Sequence, residues 1–153
     1  MRINTKNESI NSAMTALLGA LVLGMMLFSQ PVLAASVIAS DAKVKMPGKD
    51  SIEVPGYVTL ENTTDQEIIV IRIRSSAFNR SMISQTIKDN DQLRDLLRAD
   101  LVLKPNSRIV MKNDGTHLLF AGPKQKMVVG KSITANLYLN NSEKIPVEFK
   151  IVK

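Results

Sequence analysis

The chain has 153 residues with no cysteine, no tryptophan, one histidine and only 4% aromatics, which excludes disulfides, zinc–thiolate and iron–sulfur sites, thiol nucleophiles and base-stacking platforms. Its 44% hydrophobic content supports one globular core, and the formal charge of +6 favours anionic partners while leaving the fold open. No nucleic-acid partner and no multi-histidine metal cage are expected.

Residues 1–12 are polar and carry Arg2 and Lys6, and residues 13–28 then run without a charge. That run is shorter than the roughly 20 residues of a spanning helix. Gln30-Pro31 ends it, and Val32-Leu33-Ala34 follows as a small-residue cleavage signature. The expectation is a signal peptide over residues 1–34, cleaved after Ala34, with export to the periplasm or beyond; a retained anchor is the alternative. Met46, Met82, Met111 and Met127 remain in the mature chain, which stays basic and has no stable membrane span.

Residues 35–43 read as a polar lead-in and residues 44–153 as one all-β domain, because short alternating segments are separated by turn residues. Tyr57–Glu61 is strand-like and ends at the turn Asn62-Thr63-Thr64-Asp65. Over Ile68–Ser75, strict alternation puts Ile69, Ile71 and Ile73 on one face and Arg72 and Arg74 on the other. Ser81–Lys88 is the next strand. Residues 91–100 read either as a short helix, with Leu93, Leu96 and Leu97 at helical spacing, or as an irregular strand.

Lys104-Pro105-Asn106-Ser107 is a turn by composition, Arg108–Lys112 a strand, and Asn113-Asp114-Gly115 a hairpin signal leading into a strand at Thr116–Ala121. Ile133–Leu139 and Ile145–Val152 form the clearest hairpin, across Asn140-Asn141-Ser142-Glu143. Pro146 marks an edge position or strand start. Asn62-Thr63-Thr64 and Asn140-Asn141-Ser142 match the N-glycosylation pattern, yet both sit in turns where these residues are expected anyway.

Val54–Val152 resembles the periplasmic copper chaperone family PCu(A)C. The likeness is carried in order by Gly56-Tyr57-Val58-Thr59-Leu60-Glu61-Asn62 with Asp65, by Lys104-Pro105, by Asp114-Gly115-Thr116-His117-Leu118-Leu119, and by Gly122-Pro123-Lys124 ahead of Val129-Gly130-Lys131. The resemblance implies an antiparallel, cupredoxin-like β-sandwich, a monomer without enzymatic activity, and Cu(I) handling or delivery to a copper-receiving protein such as a terminal oxidase subunit. It also implies a ligand pattern, H-x(10)-M-x(21)-H-x-M. With His117 as the second histidine, ungapped counting puts the other positions at Ser84, Asp95 and Leu119, so three of the four family ligands are replaced.

Cu(I) is soft and favours thioether and imidazole donors, whereas the oxygens of Ser84 and Asp95 suit harder ions. A substitute set of Met82, Met111 and His117 is therefore a candidate, with Ser84 and Asp95 as further metal positions around the same histidine. A metal-free reading stands beside it: the sandwich as an interaction module whose basic face, Arg72 and Arg74 with Arg80 or Arg108, docks an acidic partner or anionic lipid headgroups. Ser84, Asp95 and His117 are also the residue types of a hydrolase triad, but no nucleophile elbow or glycine-rich oxyanion loop accompanies Ser84.

Overall fold

Alternating apolar residues at a period of two leave the chain little choice but strands. The computed structural model describes residues 35–48 and 51–153, and the signal segment read in residues 1–34 lies outside the described residues. The strands are β1 (Val37–Lys45), β2 (Glu53–Asn62), β3 (Ile68–Ser75), β4 (Phe78–Asp89), β5 (Gln92–Arg98), β6 (Leu101–Leu103), β7 (Arg108–Val110), β8 (Thr116–Pro123), β9 (Ser132–Leu139) and β10 (Lys144–Val152). Their order is β5-β4-β8-β2-β1-β10-β9-β3-β6, with β7 also on β2.

β1 is the corner of this sheet. It pairs antiparallel with β2 along most of its length, but with β10 only at Lys43–Lys45, and that one pair is parallel. Phe120 on β8 and Phe149 on β10 stand three places apart in the strand order, about 14 Å in a flat sheet. Their ring centroids are 5.7 Å apart. The sheet has therefore folded on itself into two facing layers, β5-β4-β8-β2 and β10-β9-β3-β6, and Phe78, stacked on Phe120 at 4.9 Å, extends the seam. Gly56 makes this possible, since a Cβ there would lie 2.6 Å from Cε2 of Phe120. The β9–β10 hairpin has the expected partners, and Val147, Phe149 and Ile151 are buried. Pro146 sits where β10 has β9 on one side and, among the described residues, no partner on the other, which spares its missing N–H.

Three details depart from the sequence expectations, and one reading left open between helix and strand is resolved. Residues 35–43, read as a lead-in, supply most of β1, whose alternation is broken by a register shift between Ser40 and Lys43 and by Asp41 at φ 52°. In β3 a shift between Val70 and Arg72 reverses the faces, so Ile68, Val70 and Ile73 point inward and Ile71 is exposed. Residues 92–98 form an edge strand, not a helix, and every one of them is exposed. The Asn113-Asp114-Gly115 turn does not close a hairpin: β7 pairs with Thr59–Glu61 and β8 with Glu53–Gly56, so the chain loops out and rejoins the same edge of β2.

At the far end, Asn62 is 1% exposed and ties three segments together. Its Nδ2 donates to the carbonyls of Gln66, Leu103 and Lys104, and its Oδ1 accepts from the backbone N–H and hydroxyl of Thr64. A side chain so enclosed is a structural knot, not a glycan acceptor.

Candidate metal centre around His117

The β4–β8 ladder pairs Ser84 with His117 and Met82 with Leu119, and the β4–β5 ladder pairs Thr86 with Asp95. Alternation places all six on the face opposite Ile83 and Leu118, which are buried in the core. Positions 84, 95, 117 and 119 thus gather on one face. The loop-out at residues 112–115 shapes the surroundings: Gly115 N–H donates to Lys112 O, Lys112 N–H to Thr116 O, and Thr86 N–H to Gly115 O.

His117 is only 4% exposed. Its Nδ1–H donates to Gly115 O at 3.0 Å, which leaves the lone pair of a neutral ring on Nε2. Nε2 faces Oδ2 of Asp95 at 3.6 Å. The other carboxylate oxygen, Oδ1, lies 2.8 Å from the Thr86 hydroxyl, which is also 3.0 Å from Asn113 O. The Tyr57 ring is tilted against the imidazole at 6.3 Å between centroids, and its hydroxyl donates to Asn113 Oδ1 at 2.9 Å. Burial, and secondarily the negative charge of Asp95, push the Tyr57 phenol above its ordinary range. Ser84 is 0% exposed and its Oγ has no hydrogen-bond partner among the described residues. A depression of about 360 Å³ opens over His117, Asp95, Asn113, Glu53, Leu93 and Leu119.

Of the two methionines of the substitute set, Met111 lies elsewhere, and Met82 shares the face of His117 but lines a neighbouring groove. Met111 is buried in the core and borders a separate depression beside Lys43 and Lys150. Met82 is half-buried and lines a groove between β3 and β4. Neither borders the depression over His117. Among the described residues no group of three or more His, Cys, Asp or Glu is placed to share an ion. The donors lining the depression are one imidazole nitrogen, the carboxylates of Asp95 and Glu53, the Asn113 amide and the Thr86 hydroxyl. That set fits a borderline or hard ion better than Cu(I), whose preferred thioether ligands are missing from this depression.

Although Ser84, Asp95 and His117 come together, they do not assemble a nucleophile relay. Asp95 faces Nε2, the nitrogen a serine would use, Nδ1 is committed to a backbone carbonyl, and Ser84 Oγ bonds to nothing among the described residues. Tyr57, Thr86 and Asn113 were not singled out as site residues by the sequence. Tyr57 follows from extending the β2–β8 register, while Asn113 lies in a turn whose course only the loop-out reveals.

The folded-over sheet is a cupredoxin-like β-sandwich, with the buried His117 on the outer face of one of its layers. The chain belongs to the LpqE-like family, whose model ("Putative lipoprotein LpqE-like") matches residues 33–151. Its fold is similar to the apo PCuAC domain from PmoF1, with a TM-score of 0.66 and 14% identity over 77% of this chain and 94% of that one. It is similar as well to the copper-bound PCuAC domain from PmoF2, with a TM-score of 0.64 and 14% identity over 76% and 92%. A third likeness is to CuI-DR1885 from Deinococcus radiodurans, with a TM-score of 0.61 and 18% identity over 82% of each chain. At these identities the likeness establishes the fold. No curated protein matches the chain. The family description speaks of lipoproteins, yet none of the 153 residues is a cysteine that a thioether-linked lipid would need. No helix among the described residues is long and apolar enough to cross a membrane.

Proposed function

We propose that the chain is an exported copper-handling protein of the PCuAC type, with His117 as anchor of a reduced ligand set that presents the ion to a copper-receiving partner. One observation carries this reading: Nε2 of His117 faces the Asp95 carboxylate at 3.6 Å. Two donors bound at about 2.0 Å to one ion at a near-tetrahedral angle stand about 3.3 Å apart, so little movement separates this pair from a chelating one. An imidazole and a carboxylate favour Cu(II) over Cu(I), and a site with few ligands gives up its ion readily, which suits transfer. The apolar-then-cleavable pattern of residues 1–34 supports export. The titration that tests this uses purified protein with Cu(II), and with Cu(I) under reducing conditions. One equivalent of copper should bind, the binding should disappear in His117→Ala, and it should weaken about tenfold in Asp95→Ala. Equal copper binding by wild type and His117→Ala would remove the metal role and leave the interaction-module reading.

A further inference from the structure

β3 and β4 are joined by only a two-residue turn, Ser76-Ala77, yet they do not pair. One enters the layer of β9 and β10, the other the layer of β8 and β2. They diverge from the turn and leave a groove of about 480 Å³ between them.

Both walls of this groove carry a free strand edge. β6 covers β3 only at Ile68–Val70, and β5 covers β4 only at Ile83–Asp89. Ile71–Ser75 and Phe78–Met82 therefore have no ladder partner on the sides away from β9 and β8 among the described residues. Arg72, Arg74, Arg80 and Lys124 line the groove, and no acidic residue does. Three other surface cations are paired, Arg94 with Asp89, Arg108 with Glu61 and Lys88 with Asp91, whereas these four, like most of the remaining lysines and arginines, make no ion pair among the described residues. Arg72 instead lies over the Tyr138 ring at 5.7 Å from its centroid. Four uncompensated charges around one concavity repel one another and concentrate anions there.

A phosphate or lipid headgroup would engage the charges and leave the strand edges unused. An extended acidic peptide uses both, because an added strand bonds to the free backbone while every second side chain falls on one face. Arg72 and Arg74 have that same spacing of two. We infer that the groove between β3 and β4 binds an extended acidic segment of a partner protein, laid along the β3 edge with alternate Asp or Glu side chains against Arg72 and Arg74, and faced by Arg80 and Lys124 from the other wall. This site is separate from His117 and does not depend on copper.

The probe is a fluorescein-labelled peptide of alternating Glu and Thr, followed by anisotropy with the purified protein at low salt. Saturable binding is expected, about tenfold weaker in the double variant Arg72→Glu/Arg74→Glu and intermediate in Arg80→Gln. Lys43→Glu/Lys150→Glu, which makes the same charge change on a different face, should bind like wild type. N-methylation of the peptide's Thr amides should abolish binding, since it removes the backbone donors of an added strand. All the substituted arginines are exposed, and a thermal melt confirms that each variant is folded. The proposal is overturned if the arginine double variant binds equally well, if the lysine pair matters as much, or if the N-methylated peptide binds unchanged. It is also overturned if phosphatidylglycerol vesicles bind through these arginines while the peptide does not.

Discussion

Ser84 and His117 are direct partners across the β4–β8 ladder, both almost wholly buried, and no hydrogen bond joins them. An unmet hydroxyl in such a place costs about 1–3 kcal/mol, because it gives up water and gains nothing. Ser84→Ala removes the oxygen with almost no change in volume. It should therefore raise stability, by about 1 kcal/mol, as a higher melting temperature and an unchanged denaturant slope. A fall of similar size would mean that the hydroxyl is in fact satisfied.

The convergence of positions 84, 95, 117 and 119 on one face makes a gain of function the natural complement. Ser84→His, Asp95→Met and Leu119→Met together supply two imidazoles and two thioethers, the donors that suit Cu(I). The triple variant should tighten Cu(I) binding by about 4 kcal/mol, roughly a thousandfold, in competition with a chromophoric chelator. A folded triple variant with wild-type affinity would show that these positions do not converge on one ion.

Asn62 closes the β2 end by bonding to backbone from two further segments, residues 64–66 and 103–104. Asn62→Ala strands several buried carbonyls at once. The expected loss is about 3 kcal/mol in urea unfolding, with copper stoichiometry unaffected in the folded fraction. A loss under about 0.5 kcal/mol would mean that water replaces the amide at no cost.

Tyr57 gives the site a signature at high pH. Its phenol holds its proton above the ordinary value of 10.0, first because it is buried and second because Asp95 is near. The unfolded chain releases that proton earlier. The stabilising contribution is thus complete below pH 10.0 and is lost as pH climbs through the raised native value. Stability measured from neutral pH into this range should fall more steeply for wild type than for Tyr57→Phe. Equal slopes would show that the phenol titrates as if exposed.

Much of this architecture was legible in the chain itself. The Ile133–Leu139 and Ile145–Val152 segments became β9 and β10 because strict alternation and a polar turn agree with each other, and nothing in the tertiary structure opposes them. Reading failed where a local rule met a bulge. Ile69, Ile71 and Ile73 alternate without a break in sequence, but the register shift after Val70 reverses their faces, and no single-residue pattern records it. Asn113-Asp114-Gly115 has hairpin chemistry, yet what sits beside β7 and β8 is β2, so the turn is right and the pairing is not. For the site, Ser84 and Asp95 came from counting the ligand pattern of the PCu(A)C resemblance back from His117, and the β4–β8 and β4–β5 ladders bring the three positions to one face. Tyr57, Thr86 and Asn113 come from three different stretches of chain and are joined only by hydrogen bonds and ring contact.

Because the chain contains a single histidine, any imidazole found on bound copper must belong to His117. Pulsed electron paramagnetic resonance on untagged, Cu(II)-loaded protein tests the central claim most directly. The account predicts the remote-nitrogen modulation of one coordinated imidazole, absent from His117→Ala prepared in the same way. Copper bound without any imidazole modulation in the wild-type protein would contradict it.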